Sequence, residues 1–450
     1  ARLKFTNVNL KVFLKVTRVT AVIRKKSDKG KSDYISYMHR VVQHSVVTGT
    51  PVQLYQCLGQ SNDIPRALFS ERNVFSTNAK SDVVKELLKE QYLGRALTVT
   101  YEPPMGAQCH IMDAMHDLYR LHPPPMLVTF GEFASYVLNS WTRKHFDSRS
   151  TKAVHLVFDD KTHATGAKSI CHAGRDSFTP DDGKDPNVHT PLPAELEIDP
   201  PLPPNFHTNI EMYIKSSRET KRKIIEFLCR HIAHSLGKDD STKWFRNGQV
   251  LVVAGGLAEG KARRTTRVTA TGAVKHELVD TYKCNHGEAD TSTYFHASRC
   301  GHSNVVVYSR DADGFMIGML ACDAMQRGVA TCSVRNMHLQ FRKSKGAAPA
   351  EYVDLHELVA CVRNMTDFSS IDIDMRVRTL VAIFVFAGCD FVSAFSGLKH
   401  TKFLEALVAE HRFVMPPNQH KIRLGEFETN ICGSFECLCR LVTAVYFRES

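Results

Sequence analysis

Residues 109–119, CHIMDAMHDLY, contain the pattern on which the fold prediction rests: a short apolar strand that ends at an acidic residue, Asp113, and runs into a helix. The same arrangement returns in AVHLVFDD (153–160) and in NVVVYSRDAD (304–313). Alternation of such strands with helical stretches is typical of an α/β protein with parallel strands. From Cys109 onward, the sequence therefore predicts a parallel sheet flanked by helices.

Further acidic residues follow the same logic along the chain. HGEAD (286–290) opens a predicted helix, and the apolar run TLVAIFVFAG (379–388) leads into a further acid. In open α/β sheets, ligands bind in the crevice outside the carboxyl ends of the strands. We expect seven acids to gather in that crevice: Asp113, Asp159, Glu288, Asp290, Asp311, Asp313 and Asp390.

Clustered carboxylates predict a metal site. Seven of them in one crevice repel one another unless cations lie among them, and hard oxygen ligands favour Mg²⁺ or Mn²⁺. Two such ions roughly 4 Å apart can activate a water and stabilise the leaving oxygen of an in-line displacement. The acid set therefore predicts two Mg²⁺ (or Mn²⁺) ions and phosphodiester chemistry.

The alternative for any single acid is a helix N-cap or a solvated loop residue, which is the more common role when one is taken alone. Four other acids are interpreted in this way, as neighbours of the site or as surface acids: Asp117, Asp160, Asp323 and Asp367.

Charge and hydropathy bear on the partners of the chain. Its 450 residues carry a formal net charge of +11, which favours a polyanion, and nucleic acid is preferred over a membrane surface because no basic amphipathic helix stands out. No apolar run approaches the ~18 residues of a membrane span. We therefore expect DNA or RNA as the partner and no membrane.

The thirteen scattered cysteines indicate reduced thiols and an intracellular compartment. The nucleus is the first expectation, with the mitochondrion or a viral particle as alternatives. Structural zinc is a minor alternative at two groups of residues, neither of which has good zinc spacing: Cys432, Cys437 and Cys439, and Cys284, His286, His296, Cys300 and His302.

The order and spacing of the acids resemble the flap endonuclease group of PIN-like structure-specific nucleases. The matching motifs are Asp113 in IMDAMHDLY, Asp159 in VFDD, Glu288-Ala289-Asp290, Asp311-Ala312-Asp313 and Asp390 in GCDF. The resemblance implies a PIN-like parallel twisted sheet and a two-metal nuclease that acts on 5′ ends, flaps or junctions in DNA or RNA. EADT and GCDFVSAFSG also resemble divergent eukaryotic relatives, some of them tied to mobile elements.

The same resemblance suggests roles for other residues. Tyr119 matches an aromatic residue that stacks on an unpaired base, and Lys168 and Arg175 match a basic pair that contacts the scissile phosphate. Phosphate contacts are also expected from the basic helix at 209–236 and from the segment after Asp390. Those candidates are Lys215, Arg218, Lys221, Arg222, Lys399 and Lys402. Without the resemblance, the basic helix is more often an ordinary solvated helix.

The chain is predicted to have three parts. They are an N-terminal extension at 1–104, a PIN-like nuclease domain at 105–410 and a C-terminal helical segment at 411–450. In the extension we expect a strand or hairpin at 10–23, a helix at 81–92 and a strand at 96–101. The nuclease domain carries a Pro-rich insertion at about 177–206 and the basic helix at 209–236.

Departures from the family pattern keep other functions open. A long segment precedes Asp113, the Pro-rich insertion interrupts the arch segment, and only Gly397 remains of the glycines expected after Asp390. One alternative is a catalytically inactive scaffold for nucleic-acid binding or assembly. Another is a phosphomonoesterase that uses only Asp311 and Asp313.

Overall fold

A single mixed sheet organises the computed structural model of the chain. Its strands are β1 (Val99–Thr100), β2 (Cys109–Asp113), β3 (Ala153–Val157), β4 (Val250–Ala254), β5 (Ala262–Arg267), β6 (Val274–Val279), β7 (Asn304–Tyr308), β8 (Asn336–Arg342) and β9 (Glu351–Asp354). The structure describes residues 81–89, 92–94, 96–159, 201–203, 206–216, 218–236, 244–257, 260–268, 273–284, 287–328, 332–342, 349–369, 371–388, 399–414 and 431–447.

Helices flank this sheet. They are α1 (Ser81–Leu87), α2 (Ala114–Tyr119), α3 (Phe130–Phe146), α4 (Phe206–Ser216), α5 (Arg218–Ser235), α6 (Ala289–Arg299), α7 (Ala312–Gln326), α8 (Leu355–Arg363), α9 (Arg376–Phe386), α10 (His400–Val414) and α11 (Ile431–Phe447). None of the described helices is long and apolar enough to cross a membrane.

The order of the strands in the sheet is β1-β9-β8-β7-β2-β3-β4-β5-β6. The five central strands, from β8 to β4, are parallel, and the pairings at both edges are antiparallel. From β2 the chain adds β3 and β4 on one side and then returns to build β7 and β8 on the other. The strand order therefore reverses between β2 and β7, and a reversal of this kind opens a ligand crevice at the carboxyl ends of the strands.

Burial explains why the central strands read as apolar runs in the sequence. Every residue of β2 and β3 is buried, as are four of the five residues of β4 and of β7. Parallel strands covered on both faces need apolar side chains in both directions. The prediction of an α/β fold with a parallel central sheet is confirmed, and the edges add antiparallel strands that make the whole sheet mixed.

Two pairs of buried histidines mark the two faces of the sheet. His110 of β2 and His145 of α3 have ring centroids 4.5 Å apart. On β3, His155 is the sheet partner of Ile111, and its Nδ1 lies 3.1 Å from Nδ1 of His296 on α6. Since neighbouring strand residues point to opposite faces, α3 and α6 cover opposite faces of the sheet.

Helix α1 and strand β1 belong to the same compact unit as the sheet, although the sequence grouped them with the N-terminal extension. Val83, Val84 and Leu87 of α1 are buried, and β1 pairs with β9. The backbone N–H and the hydroxyl of Thr98 each donate to a carboxylate oxygen of Glu357 at 3.2 Å. Helix α1 and strand β1 are both shorter than the predicted helix at 81–92 and strand at 96–101.

The structure divides one predicted helix into two and places most of one apolar run in a helix. The basic helix predicted at 209–236 forms two helices, α4 and α5. The apolar run at 379–388, which resembles the runs that form strands, lies mostly in α9. Several predictions fall outside the described residues: Lys168, Arg175, Asp160, Asp390, Gly397, residues 10–23 and most of 177–206. The side chains of Lys215 and Arg218 are likewise outside the description.

The buried histidines predict a loss of stability in acid. Burial lowers the pKa of His110 to about 4 and that of His296 to about 3. The histidines of the unfolded chain take up protons near pH 6.5, whereas those buried in the native chain do not. The stability that the neutral buried histidines contribute is therefore full above that pH and is lost as the pH falls toward these lowered values. Urea unfolding measured from about pH 8 to about pH 5 should therefore show a falling free energy of unfolding.

His110→Gln provides the matched variant for this pH dependence. The amide keeps a donor and an acceptor for the hydroxyls of Tyr308 and Thr151, which lie 2.9 Å and 3.1 Å from the ring nitrogens of His110. Its loss of a titrating group should reduce the slope by up to about 1.4 kcal/mol per pH unit. Identical slopes for the variant and the wild type would contradict the assignment.

Candidate functional site

Asp113 ends β2 and begins α2 at the reversal of strand order. It is 8% exposed, and its Oδ1 accepts hydrogen bonds from the backbone N–H groups of Met115 at 3.0 Å and His116 at 3.2 Å. These contacts make it the N-cap of α2. One carboxylate oxygen therefore has a structural role, and the buried group lies where ligands bind in such sheets.

Asp159 follows β3 and joins the end of that strand to the start of α6. It is 6% exposed. Its Oδ1 accepts the backbone N–H of Ala289 at 3.1 Å, and its Oδ2 accepts the ammonium of Lys221 at 2.7 Å. Since Ala289 is the first residue of α6, Asp159 lies against the helix terminus that carries Glu288 and Asp290.

The two remaining acidic pairs begin helices. Glu288 and Asp311 occupy the N-cap positions of α6 and α7, yet neither side chain caps its own helix. Asp290 and Asp313 lie two residues further on, in the first turns. Each pair therefore lies at the start of a helix, with one carboxylate at the N-cap and the other in the first turn.

Tyr294 holds these two helix starts together. Its hydroxyl, on α6, donates to the carbonyl of Gly314 in the first turn of α7 at 2.7 Å. A side chain at Gly314 would also collide with Ser309, because a Cβ there would lie 1.9 Å from the Ser309 Oγ. The hydrogen bond from Tyr294 connects α7 to α6. The absence of a side chain at Gly314 allows the start of α7 to approach the end of β7.

The electrostatics of Asp113 show which acids meet. Burial raises the pKa of Asp113 well above its usual range, and the carboxylates of Asp159, Asp290 and Asp311 raise it further. The hydrogen bond from the backbone N–H of His116 offsets part of this shift. Carboxylates that repel one another in this way share one region. The four predicted acids that influence one another in this way come from the ends of β2 and β3 and the starts of α6 and α7.

Lys221 and Tyr119, both predicted to bind nucleic acid, lie at the same acids. The Lys221 side chain is 15% exposed, and its Nζ is 5.3 Å from the centroid of the Tyr119 ring. Burial lowers the pKa of Lys221, but the carboxylate of Asp159 and the Tyr119 side chain outweigh burial, so that the net shift is upward. The lysine is therefore a fixed cation within the acidic cluster.

A second cation was not predicted from the sequence. Arg310, directly before Asp311, forms a buried two-pronged ion pair with Asp117 of α2, with Nη2 and Oδ2 3.4 Å apart in the longer contact. Asp323, 0% exposed, pairs with Arg327 at 2.8 Å and Arg363 at 2.6 Å. Both acids are buried and paired, so the surface alternative is wrong for them, whereas the alternative of a neighbour of the site holds for Asp117. The Arg310 pair fastens the turn that carries Asp311 to α2.

An exposed basic surface extends from α5 to β5. Glu226 bridges two arginines of α5, contacting Arg222 at 3.1 Å and also Arg230. The guanidinium of Arg263 on β5 donates to the carbonyl of Arg230 at 3.2 Å. Arg264, the next residue of β5, points to the opposite face of the sheet, where it is exposed and contacts Glu277 at 3.1 Å. Arginines held by neighbouring groups keep free donors for phosphate oxygens.

The predicted residues Lys399 and Lys402 lie at the start of α10, with Lys402 3.4 Å from Glu405.

The donor atoms of the acidic cluster suit a hard divalent cation, since all are carboxylate oxygens. Within the described ranges, however, no three histidine, cysteine, aspartate or glutamate side chains are arranged so that they could hold a metal ion together. Both oxygens of Asp159 and one of Asp113 contact donors of the protein itself. Metal binding would therefore need a local rearrangement, and Lys221 is the group that would have to leave.

No protein-family model matches the chain, and no curated protein is significantly similar to it in sequence.

Proposed function

We propose that the chain is a divalent-metal-dependent nuclease, built on a PIN-like version of the α/β fold, that hydrolyses phosphodiester bonds in structured DNA or RNA. The observation that carries this proposal is geometric: Asp113 and Asp159 follow two paired parallel strands where the strand order reverses, and Asp159 contacts the start of the helix that carries Asp290. A cluster of like charges at that edge lowers the stability of the fold. Metal ions bound among the carboxylates would offset this repulsion. The motif resemblance to flap endonucleases supports the same conclusion.

The ligands for Mg²⁺ or Mn²⁺ would come from the acidic cluster. Asp113, Asp159, Asp290 and Asp311 form its centre, and Glu288, Asp313 and Asp390 are further candidates. Bound metal supplies a nucleophilic hydroxide at neutral pH and stabilises charge on the leaving oxygen. No histidine or serine nucleophile is needed for that chemistry.

The cations of the chain would bind and orient the nucleic acid. Arg222, Arg230 and Arg263 are candidates for phosphate contacts that fix register without reading sequence. Lys168 and Arg175 keep their predicted role at the scissile phosphate. A reducing intracellular compartment, with the nucleus as the first expectation, is part of the proposal.

A catalytically inactive nucleic-acid-binding scaffold is the second candidate. One observation favours it: both oxygens of Asp159 already have partners within the protein. Lys221 pairs with Asp159, but the repulsion that remains around Asp113 weighs against the scaffold, because a scaffold that binds no metal gains stability by losing such charges.

Cleavage assays separate the two candidates. The full chain is incubated at low salt with Mg²⁺, Mn²⁺ or EDTA and with labelled single-stranded, duplex and 5′-flap substrates in DNA and in RNA. The nuclease predicts products that require the metal and that depend on substrate structure. Binding of the substrates without cleavage in either metal would reject the nuclease in favour of the scaffold.

A further inference from the structure

Lys221 contacts two residues that have different roles in the proposed function. Its Nζ lies 2.7 Å from Oδ2 of Asp159, a proposed metal ligand. The same ammonium lies 5.3 Å from the ring centroid of Tyr119, a proposed platform for an unpaired base. The side chain is mostly buried, so the ammonium is held at this position and is not one of many solvated charges on α5.

A divalent ion and Lys221 compete for Asp159. The other oxygen of Asp159 is engaged by the backbone N–H of Ala289, so a metal reaches this carboxylate most directly through the oxygen that Lys221 occupies. An ammonium has only donors and cannot bridge to a metal ion, and two cations at such short range repel strongly. The flexible four-carbon stem of lysine allows the head group to leave without movement of the helix.

Departure of Lys221 also changes Tyr119. While the ammonium lies over the ring, a base cannot stack on that face of Tyr119. Once the ammonium is displaced, the face is open to a base, and the freed charge is available to a phosphate. Metal binding and single-strand binding therefore both require the same side-chain movement, and each should favour the other by thermodynamic linkage.

We propose that Lys221 is an internal counter-ion of the acidic site that competes with divalent metal for Asp159, so that metal binding and binding of an unpaired nucleic-acid strand are coupled through its release. The inference rests on the proposed function, because it assigns regulation to the same metal site. It makes Lys221 a positioning residue, which acts through Asp159 and Tyr119.

Calorimetric titration of Mn²⁺ into the full chain tests the competition. Lys221→Met should bind Mn²⁺ about tenfold more tightly than the wild type, whereas Lys221→Arg, which keeps the charge, should not. Lys223→Met is the matched control, since it removes the same charge two residues along α5, where the side chain points to another side of the helix. Its affinity for Mn²⁺ should equal that of the wild type.

Thermal unfolding gives a second readout that a simple packing role would not produce. Without metal, Lys221→Met should unfold at a lower temperature than the wild type, because Asp159 is left buried without its counter-charge. Mn²⁺ should raise its midpoint by more than it raises that of the wild type. Lys221→Gln, which keeps a hydrogen-bond donor, serves the same comparison if the Met variant does not fold.

The coupling is tested with a phosphorothioate-linked single-stranded oligonucleotide. Its affinity for the wild type should increase when Mn²⁺ replaces EDTA, and this increase should be smaller for Lys221→Met. Equal or weaker Mn²⁺ binding by Lys221→Met would overturn the inference and leave the nuclease intact. Absence of Mn²⁺ binding by the wild type and by every Lys221 variant would overturn both.

Discussion

Asp311→Asn is expected to reduce metal-dependent cleavage by about 10³-fold, the equivalent of roughly 4 kcal/mol of transition-state stabilisation lost with a metal ligand. Asp311 is exposed at the start of α7, does not cap that helix, and acts electrostatically on Asp113. Its charge therefore serves the acidic cluster and contributes little to the fold. Single-turnover cleavage of the best substrate from the panel measures the loss.

Two comparisons make the Asp311 result specific. Asp374→Asn removes a charge from another exposed aspartate, in a short 3-10 helix before α9, and should cleave at the wild-type rate. The thermal midpoint of Asp311→Asn should equal or exceed that of the wild type, because a repelling charge has been removed. Cleavage by Asp311→Asn at the wild-type rate would exclude Asp311 from the site.

Gly255→Ala is expected to destabilise the chain by about 3 kcal/mol, the largest stability effect that we predict. Gly255 follows β4 with φ of 107°, and a Cβ there would lie 2.0 Å from the carbonyl oxygen of Phe158. The backbone N–H of Phe158 also donates to the carbonyl of Ala254 at 2.8 Å. The glycine therefore permits the close approach of two strand ends that positions Asp159.

Gly248→Ala separates this close approach from backbone strain alone. Gly248 has φ of 80° and no heavy atom within 4 Å of a built Cβ, so its replacement should cost only the ~1 kcal/mol of left-handed strain. Urea unfolding measures both variants. Gly255→Ala should also bind Mn²⁺ more weakly, whereas Gly248→Ala should not. Equal losses in the two variants would mean that contact with Phe158 is unimportant.

The strands of the central sheet could be predicted because their information is local. CHIMD, AVHLV and NVVVY are short apolar runs, and each of them forms a strand. The same rule is misleading at 379–388, where an equally apolar run lies mostly in helix α9. A short buried helix and a short buried strand have the same composition, and only tertiary contacts distinguish them.

The partners of the site residues could not be predicted, because they are distant in sequence. Lys221 and Asp159 are 62 positions apart, and Arg310 and Asp117 are 193 apart. The acids themselves could be found, since each follows or begins a regular element. Which cation neutralises which acid depends on the packing of α5 and α2 against the sheet edge, and no local pattern encodes that packing.

Mn²⁺ binding to the wild type and to Asp113→Asn, followed by calorimetry, tests most directly whether the four carboxylates form a metal site. Asparagine keeps the oxygen that caps α2, so the comparison removes charge from the centre of the cluster and preserves the helix start. We predict that the wild type binds Mn²⁺ and that Asp113→Asn binds it at least about tenfold more weakly. Equal affinities, or no binding by the wild type, would contradict a metal site at this edge of the sheet.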